Sequence, residues 1–598
     1  MPVDPIIVPD RESLSEMDDA LATMMTRLRE ITAAAELTQD TLIEITSIYN
    51  NVAYIFLYLE ANDEFVNFDR LLPWRDAFHK DHALDVRILA MLESLRCDDP
   101  EAEDARLAYV QQLREKLETP DPQAEEELER LLSQAKDTLG AVRQQQAGLL
   151  ERLKASPEGT APPAVFYLLS SRIDSAATRR KLGRAWRAES DKHLDRMVAL
   201  VDSMVAVRRR RSAAAGHPSV LAETLVKCMV GEDEAAAFLD DYLARALAGH
   251  ETLESEVRDV LGGDDGSMDH FAYCLRSVSR GLKPPLFDLD GCLDVVFTVA
   301  RRVFGLAVEP VRTGSAHVLT VTVRRDGEEI GQVNFDLWDT ETKTVGANHT
   351  KGIRNRTEWS GLVQRPVAYV SCRFQPGTDG TGRITFQNLH SLFHEFGHAV
   401  NHLLIRKRVS NRSGLEYLPL ERLEFMSMWF EKWAYHPDLG PALGLSAHEE
   451  EGLALCRRAK MLEYRRTYLE RAVTSVLDFD VHRRGDGGIA QSFHRLDERF
   501  GIGRYCALGD FPLYFTWPMF TANPGANFAY PFGAAFSAQT FTPFLARALD
   551  ESAPADAPAL FGSCVDFDAP TSVPGLDAVF SFYDEAVLRT PATAQGLR

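Results

Sequence analysis

The chain has 598 residues, 45% of them hydrophobic, and a net charge of -22 from 66 basic and 88 acidic side chains. That much apolar material exceeds the needs of one ordinary core, so two or more subdomains are expected, and the acidic excess would repel a phosphate backbone and argues against nucleic acid as a partner. A mean hydropathy of -0.20, with no uninterrupted apolar stretch near the ~20 residues that a bilayer demands, argues against a membrane span.

The opening stretch "MPVDPIIVPDRES" lacks a basic segment followed by an apolar one, so no secretory leader is read and a cytoplasmic location is expected. Residues 11 to 153 carry apolar side chains at three- and four-residue spacing, in "LATMMTRLREITAAAELTQDTLIEITSIYNNVAYIFLYLE" and again in "QAEEELERLLSQAKDTLGAVRQQQAGLLERLKA", which predicts helical hairpins. "SPEGTAPPAVF" (156–166) breaks the run as a loop. Further helices are expected from 167 to 305, interrupted at "LGGDDGSMD" (261–269) and "GLKPPLF" (281–287). Within them, Arg208 to Arg211 reads as a solvated face or a helix C-terminus. The character then changes: "AHVLTVTVRRDGEEIGQVNFDLWDT" alternates around Asp326-Gly327 as a hairpin, and "RPVAYVSCRFQ" adds a strand. The Gly-rich turn "PGTDGTGR" follows, with helix from Phe386 onward. The expected partition is 1–155 and 156–305, two helical regions forming the N-terminal half, and 306–598, a catalytic domain. Eight cysteines without a CxxC pair suit reduced thiols rather than a disulfide framework.

The helix at Phe386 contains "SLFHEFGHAVNHLL" (391–404). On a helix, His394 and His398 lie one above the other, and Glu395 is rotated by about 100°. Two imidazoles on one face suit a zinc ion, and the glutamate can take a proton from a water that the ion acidifies. The alternative is a buried helix with two hydrogen-bonded histidines. A third ligand must come from elsewhere, and "LPLERLEFMSMWFEKWAYHP" (418–437) places Glu424 and Glu431 on one helical face among apolar side chains. Carboxylates there are costly to desolvate without a cation, so Glu424 is read as the third ligand; the alternative is that both are surface acids of an amphipathic helix. Manganese or cobalt would suit the same donor set.

Four segments, "GQVNFDLW" (331–338), "RPVAYVSCRF" (365–374), "LFHEFGHAV" (392–400) and "EFMSMWFE" (424–431), follow one another as they do in the thimet oligopeptidase and oligoendopeptidase F metallopeptidases, which the sequence resembles from 330 to 437 and more loosely to 540. The resemblance implies a mainly α, multi-helix zincin-type fold, with a small β-sheet beside the active-site helix and two halves enclosing a channel. It also implies one zinc ion per chain on His394, His398 and Glu424, with Glu395 as general base and Glu431 in support.

Near the C-terminus the family carries a histidine and several tyrosines that stabilise the oxyanion. Here "WPMFTANPGANFAYPFGAAFSAQTF" (517–541) has Met519 where a histidine is expected, and Phe528, Phe532 and Ala534 at tyrosine positions. Tyr530 is the remaining candidate, with a core tyrosine as the alternative. The loop "NRSGLEYLPLER" (411–422) keeps Ser413-Gly414 and then carries apolar residues and a proline, a departure from the family's Gly-rich loop, which makes contacts to the substrate backbone. His402 reads as a helix-surface residue and His482 as structural. The activity implied is zinc-dependent hydrolysis of short unfolded peptides. Alternative readings are a zinc hydrolase devoted to one peptide or amide, and a zinc-binding protein that holds peptides without turnover.

Overall fold

The computed structural model describes residues 14–34, 36–61, 65–117, 122–152, 162–263, 266–278, 284–311, 318–340, 343, 348–375, 382–484, 487–546 and 572–588. The Gly-rich turn at 376–381, most of the loop predicted at 156–166, the start of the break at 281–287 and Cys564 lie outside them. The fold is mainly helical with small sheets. Its contacts group the chain into two compact units that alternate along the sequence: residues 1–119, 285–445 and 540–570 form one, and 120–284, 446–539 and 571–598 the other. The breaks expected at 155 and 305 follow the chain, whereas this grouping follows contacts.

In the first unit, helices Leu14–Ala33, Gln39–Ala61, Phe65–His79, His82–Ser94 and Pro100–Leu117 close around Leu21, Leu28, Leu42, Val52, Leu59, Phe78 and Leu92, as the apolar spacing predicts. The stretch Gln39–Glu60 is long and apolar enough to cross a membrane by composition, but 67% of its apolar window is buried. It is a core helix, and its Tyr54 joins Ile353, Val367 and Tyr369 of the neighbouring strands.

Among the described residues nine strands follow: β1 Phe287–Asp288, β2 Leu306–Val311, β3 Leu319–Arg325, β4 Glu328–Trp338, β5 His349–Arg354, β6 Thr357–Trp359, β7 Leu362–Gln364, β8 Val367–Phe374 and β9 Arg383–Ile384. Five form one sheet in the order β2-β3-β4-β8-β5, antiparallel except for the β4/β8 pair. The predicted hairpin is β3-β4, and its turn puts Asp326 at φ 53° and Gly327 at φ 84°. Two positive φ values are what a two-residue hairpin needs to match strand twist, and Asp-Gly tolerates them. Helix Phe386–Leu404 lies against β8, β5 and β4, where Phe396 stacks on Phe335 of β4.

The second unit is built from helices that include Pro122–Arg152, Leu194–Ala214, Glu232–Leu261 and the 38-residue Ala447–Arg484. Here the basic run departs from expectation. Arg210 and Arg211 do pair outward, with Glu127 and Glu125. Arg208 instead is buried, its guanidinium donating to His482 Nε2 (3.1 Å) and to the Phe520 carbonyl (2.8 Å). His482 faces Asp478 through Nδ1 (3.0 Å), and Asp478 accepts the amides of Gly525 and Asn527. A buried cation needs such partners, and they lie far away in sequence, which is why a local reading placed it in solvent.

Candidate metal and catalytic site

Helix Phe386–Leu404 begins where the Thr385 hydroxyl accepts the Asn388 amide, and it buries Leu389, Leu392, Phe393, Phe396, Ala399, Val400 and Leu403. Its polar side chains are held by what packs around that apolar body. Gly397 sets the approach of the next segment: a Cβ there would lie 2.7 Å from the Met426 carbonyl oxygen and 2.7 Å from Ser427 Cα. With no side chain in the way, helix Phe425–Glu431 crosses close over the middle of the long helix.

The crossing delivers Glu424. This residue stands at the break between the short helices Leu420–Leu423 and Phe425–Glu431, with φ -92° and ψ -3°, rather than inside one continuous helix as the spacing suggested. Its Oε2 lies 3.5 Å from His394 Nε2 and 3.4 Å from His398 Nε2, and it accepts a 2.9 Å hydrogen bond from the Ser427 hydroxyl. Among the described residues, His394, His398 and Glu424 are the group of three or more potential ligands that converges, with ligand atoms all within 4.8 Å of one another. For a tetrahedral zinc ion with bonds of ~2.05 Å, neighbouring ligand atoms stand about 3.3 Å apart. The two His–Glu separations lie close to that edge, so the donor set fits zinc in type and in those two spacings.

Electrostatics point the same way. Burial alone would push His394 down, yet Glu424 and Glu431 draw its imidazole well above the ordinary value. Burial alone would raise Glu424, but His398 and His394 hold its carboxyl well below the usual range. Glu431, raised by burial and lowered more by His390 and His394, is pushed down to about 2. Its Oε2 takes the Nδ1 side of His394 at 3.1 Å and stands 3.8 Å from His390 Nε2. With Glu431 on Nδ1, Nε2 of His394 is the nitrogen that faces Glu424, and it is the one that would hold an ion once its proton is displaced.

Glu395 emerges on the flank, as a rotation of one residue along the helix requires. Its side chain is 5% exposed, and its Oε2 accepts a 2.8 Å hydrogen bond from Thr350 on β5. His402 was expected at the surface and is 1% exposed instead. Its Nε2 donates to the Arg354 carbonyl at 2.8 Å, and Gly352 leaves room for the ring, since a Cβ there would sit 2.5 Å from its Cε1. In the 411–422 loop, Ser413 donates to the Arg356 carbonyl and Gly414 packs against the side chains of Asn355 and Glu416. Tyr530 belongs to the second unit, in the first turn of helix Ala529–Phe541, beside buried Phe528 and Phe532.

Thr350 and His390 escaped the sequence reading, and Ser427 stood in the segment "EFMSMWFE" without a role. Ser427 had a usable signal, its place three residues after a candidate ligand within one helical stretch. Thr350 had none, because its partner lies 45 residues onward on another element.

A family model described as "Peptidase family M3" matches residues 170–504. Oligopeptidase A of Escherichia coli (strain K12) is 25% identical over 374 residues, which cover 58% of this chain and 55% of that protein. The organellar oligopeptidase A, chloroplastic/mitochondrial, of Arabidopsis thaliana is 24% identical over 358 residues, covering 54% and 45% respectively. The chain thus spans about half the length of these curated relatives. A solved structure named as an oligoendopeptidase F superimposes with a TM-score of 0.57 over 97% of this chain and 94% of its own, at 13% identity, a likeness of fold.

Proposed function

The chain belongs to peptidase family M3, and on that premise we propose that it is a zinc-dependent metallopeptidase hydrolysing peptide bonds in short unfolded peptides. The observation that carries the reading is the meeting of His394, His398 and Glu424 within 4.8 Å, flanked by the buried Glu395, whose Oε2 is held by Thr350. His394, His398 and Glu424 would hold the ion. When bound, a zinc ion supplies Lewis acidity, polarising a peptide carbonyl and lowering the pKa of a water.

The remaining work falls to side chains of this chain. Glu395 accepts the proton of the attacking water and returns it to the departing amine, a cycle that a carboxylate anchored through one oxygen performs with the other. Glu431 orients His394 through Nδ1. Tyr530 is the candidate donor to the oxyanion, a role supported by its place in the segment that resembles the family's tyrosine motif. Cytoplasmic residence is part of the proposal, supported by the seven described cysteines all being free thiols.

A second reading, an enzyme devoted to one peptide or amide, is favoured by Phe528, Phe532 and Ala534 standing at tyrosine positions, since Phe532 is buried against Phe238 and offers no donor. Quenched-fluorescence peptides separate the readings when assayed beside Glu395→Gln with metal content measured on both. Cleavage of mixed peptides that falls by at least ~100-fold in Glu395→Gln at unchanged zinc content supports the general peptidase. Cleavage of one sequence only supports the dedicated enzyme. Zinc binding without cleavage of any peptide removes the catalytic reading.

A further inference from the structure

The Glu395 carboxylate has one hydrogen bond among the described residues, the one from Thr350. From this we infer that Thr350 is the positioning residue of the general base: it fixes Oε2 and thereby presents the other oxygen to the attacking water. The inference rests on the proposed role of Glu395 and deepens it.

Three features of β5 support the assignment. Thr350 and Gly352 are two apart, so both side-chain positions face the long helix, and they meet it two turns apart, at Glu395 and at His402. The strand is therefore docked along the helix at two points rather than touching it once. Second, β5 is locked in register by its antiparallel pairing with β8, where Thr350 stands opposite Val370, so the hydroxyl cannot drift along the helix. Third, the hydroxyl lies within reach of two acceptors, the Glu395 carboxylate (2.8 Å) and the Glu395 main-chain carbonyl (2.9 Å). It has one proton to give, and a carboxylate binds it more strongly than a neutral carbonyl. The Glu395 carboxylate is thus tied to β5 through Oε2, which restrains its rotation.

The test compares Thr350→Val, which keeps the β-branched shape and removes the hydroxyl, with Thr350→Ser, which keeps the hydroxyl. Expected for Thr350→Val is a fall in kcat of about 10-fold or more with KM and zinc content unchanged, and recovery of most of it in Thr350→Ser. A Thr350→Val enzyme within two-fold of wild type, or a Thr350→Ser enzyme as slow as Thr350→Val, overturns the inference. Failure of the underlying reading looks different: wild type itself then cleaves nothing. For that outcome a crystal structure of zinc-loaded Thr350→Val decides independently of turnover. A displaced or multiply placed Glu395 side chain upholds the restraint, and an unmoved one overturns it.

Discussion

Gly397 sits between the two histidines of the motif, yet its work concerns the backbone of another element. A methyl group there would press on the Met426 carbonyl and on Ser427 Cα, both main-chain atoms that cannot rotate aside. Gly397→Ala should therefore push helix Phe425–Glu431 outward, at a cost of about 1–3 kcal/mol in overpacking, and carry Glu424 away from the histidines. Loss of zinc affinity together with a lower denaturant midpoint is the expected result; unchanged affinity in a folded variant would show that the crossing does not place Glu424. At this scale the sequence disclosed what lies in one helix or at helical spacing: His394, Glu395 and His398, and Glu424 and Glu431 as carboxylates in an apolar stretch. It did not disclose Thr350 or the burial of His402, because both depend on β5, whose short stretch "HTKGIR" has no alternation to mark it as a strand.

Elements with a strong local cause were legible. Asp326-Gly327 closes the β3-β4 hairpin, and Thr385 starts the long helix one residue before Phe386. The 418–437 stretch, where the spacing suggests one helical face, is two short α-helices broken at Glu424 and followed by a 3-10 turn, Lys432–Tyr435. Helix Glu232–Leu261 offers a test of element stability. His250 on it is 4% exposed, its buried Nδ1 has no hydrogen-bond partner among the described residues, and burial and then Arg466 push its pKa down to about 4. The folded state thus resists the proton that the unfolded chain accepts near 6.5. Stability from the neutral ring is fully present above 6.5, declines as pH falls from there towards 4, and changes no further below. Over that window the helix should lose up to about 3 kcal/mol through this residue. Denaturant titrations at pH 7 and pH 4.5 should show a steeper loss in wild type than in His250→Leu, and equal losses would mean that the ring titrates normally.

The alternation of the two units along the chain had no local signature, because it is defined by contacts between segments hundreds of residues apart. Within the second unit, Arg208, His482, Asp478 and the 520–527 segment show how such contacts are made: a buried cation, an imidazole and a carboxylate that accepts two amides. Within the first, the ligand set plays the comparable part. Two ligands come from one helix and the third arrives 26 positions later from a break between helices, so an ion bound by all three joins segments that the unfolded chain leaves apart. An ion that binds the folded state alone stabilises it by RT ln(1 + [L]/Kd), about 2.7 kcal/mol at a hundred times Kd. Zinc added to chelator-stripped protein should therefore raise the apparent unfolding temperature by several degrees, with a rise that grows logarithmically with free zinc. In Glu424→Ala the rise should vanish at the same concentrations, because two imidazoles on one helix bind more weakly and join nothing. An equal rise in that variant would place the stabilising ion elsewhere and remove Glu424 from the ligand set.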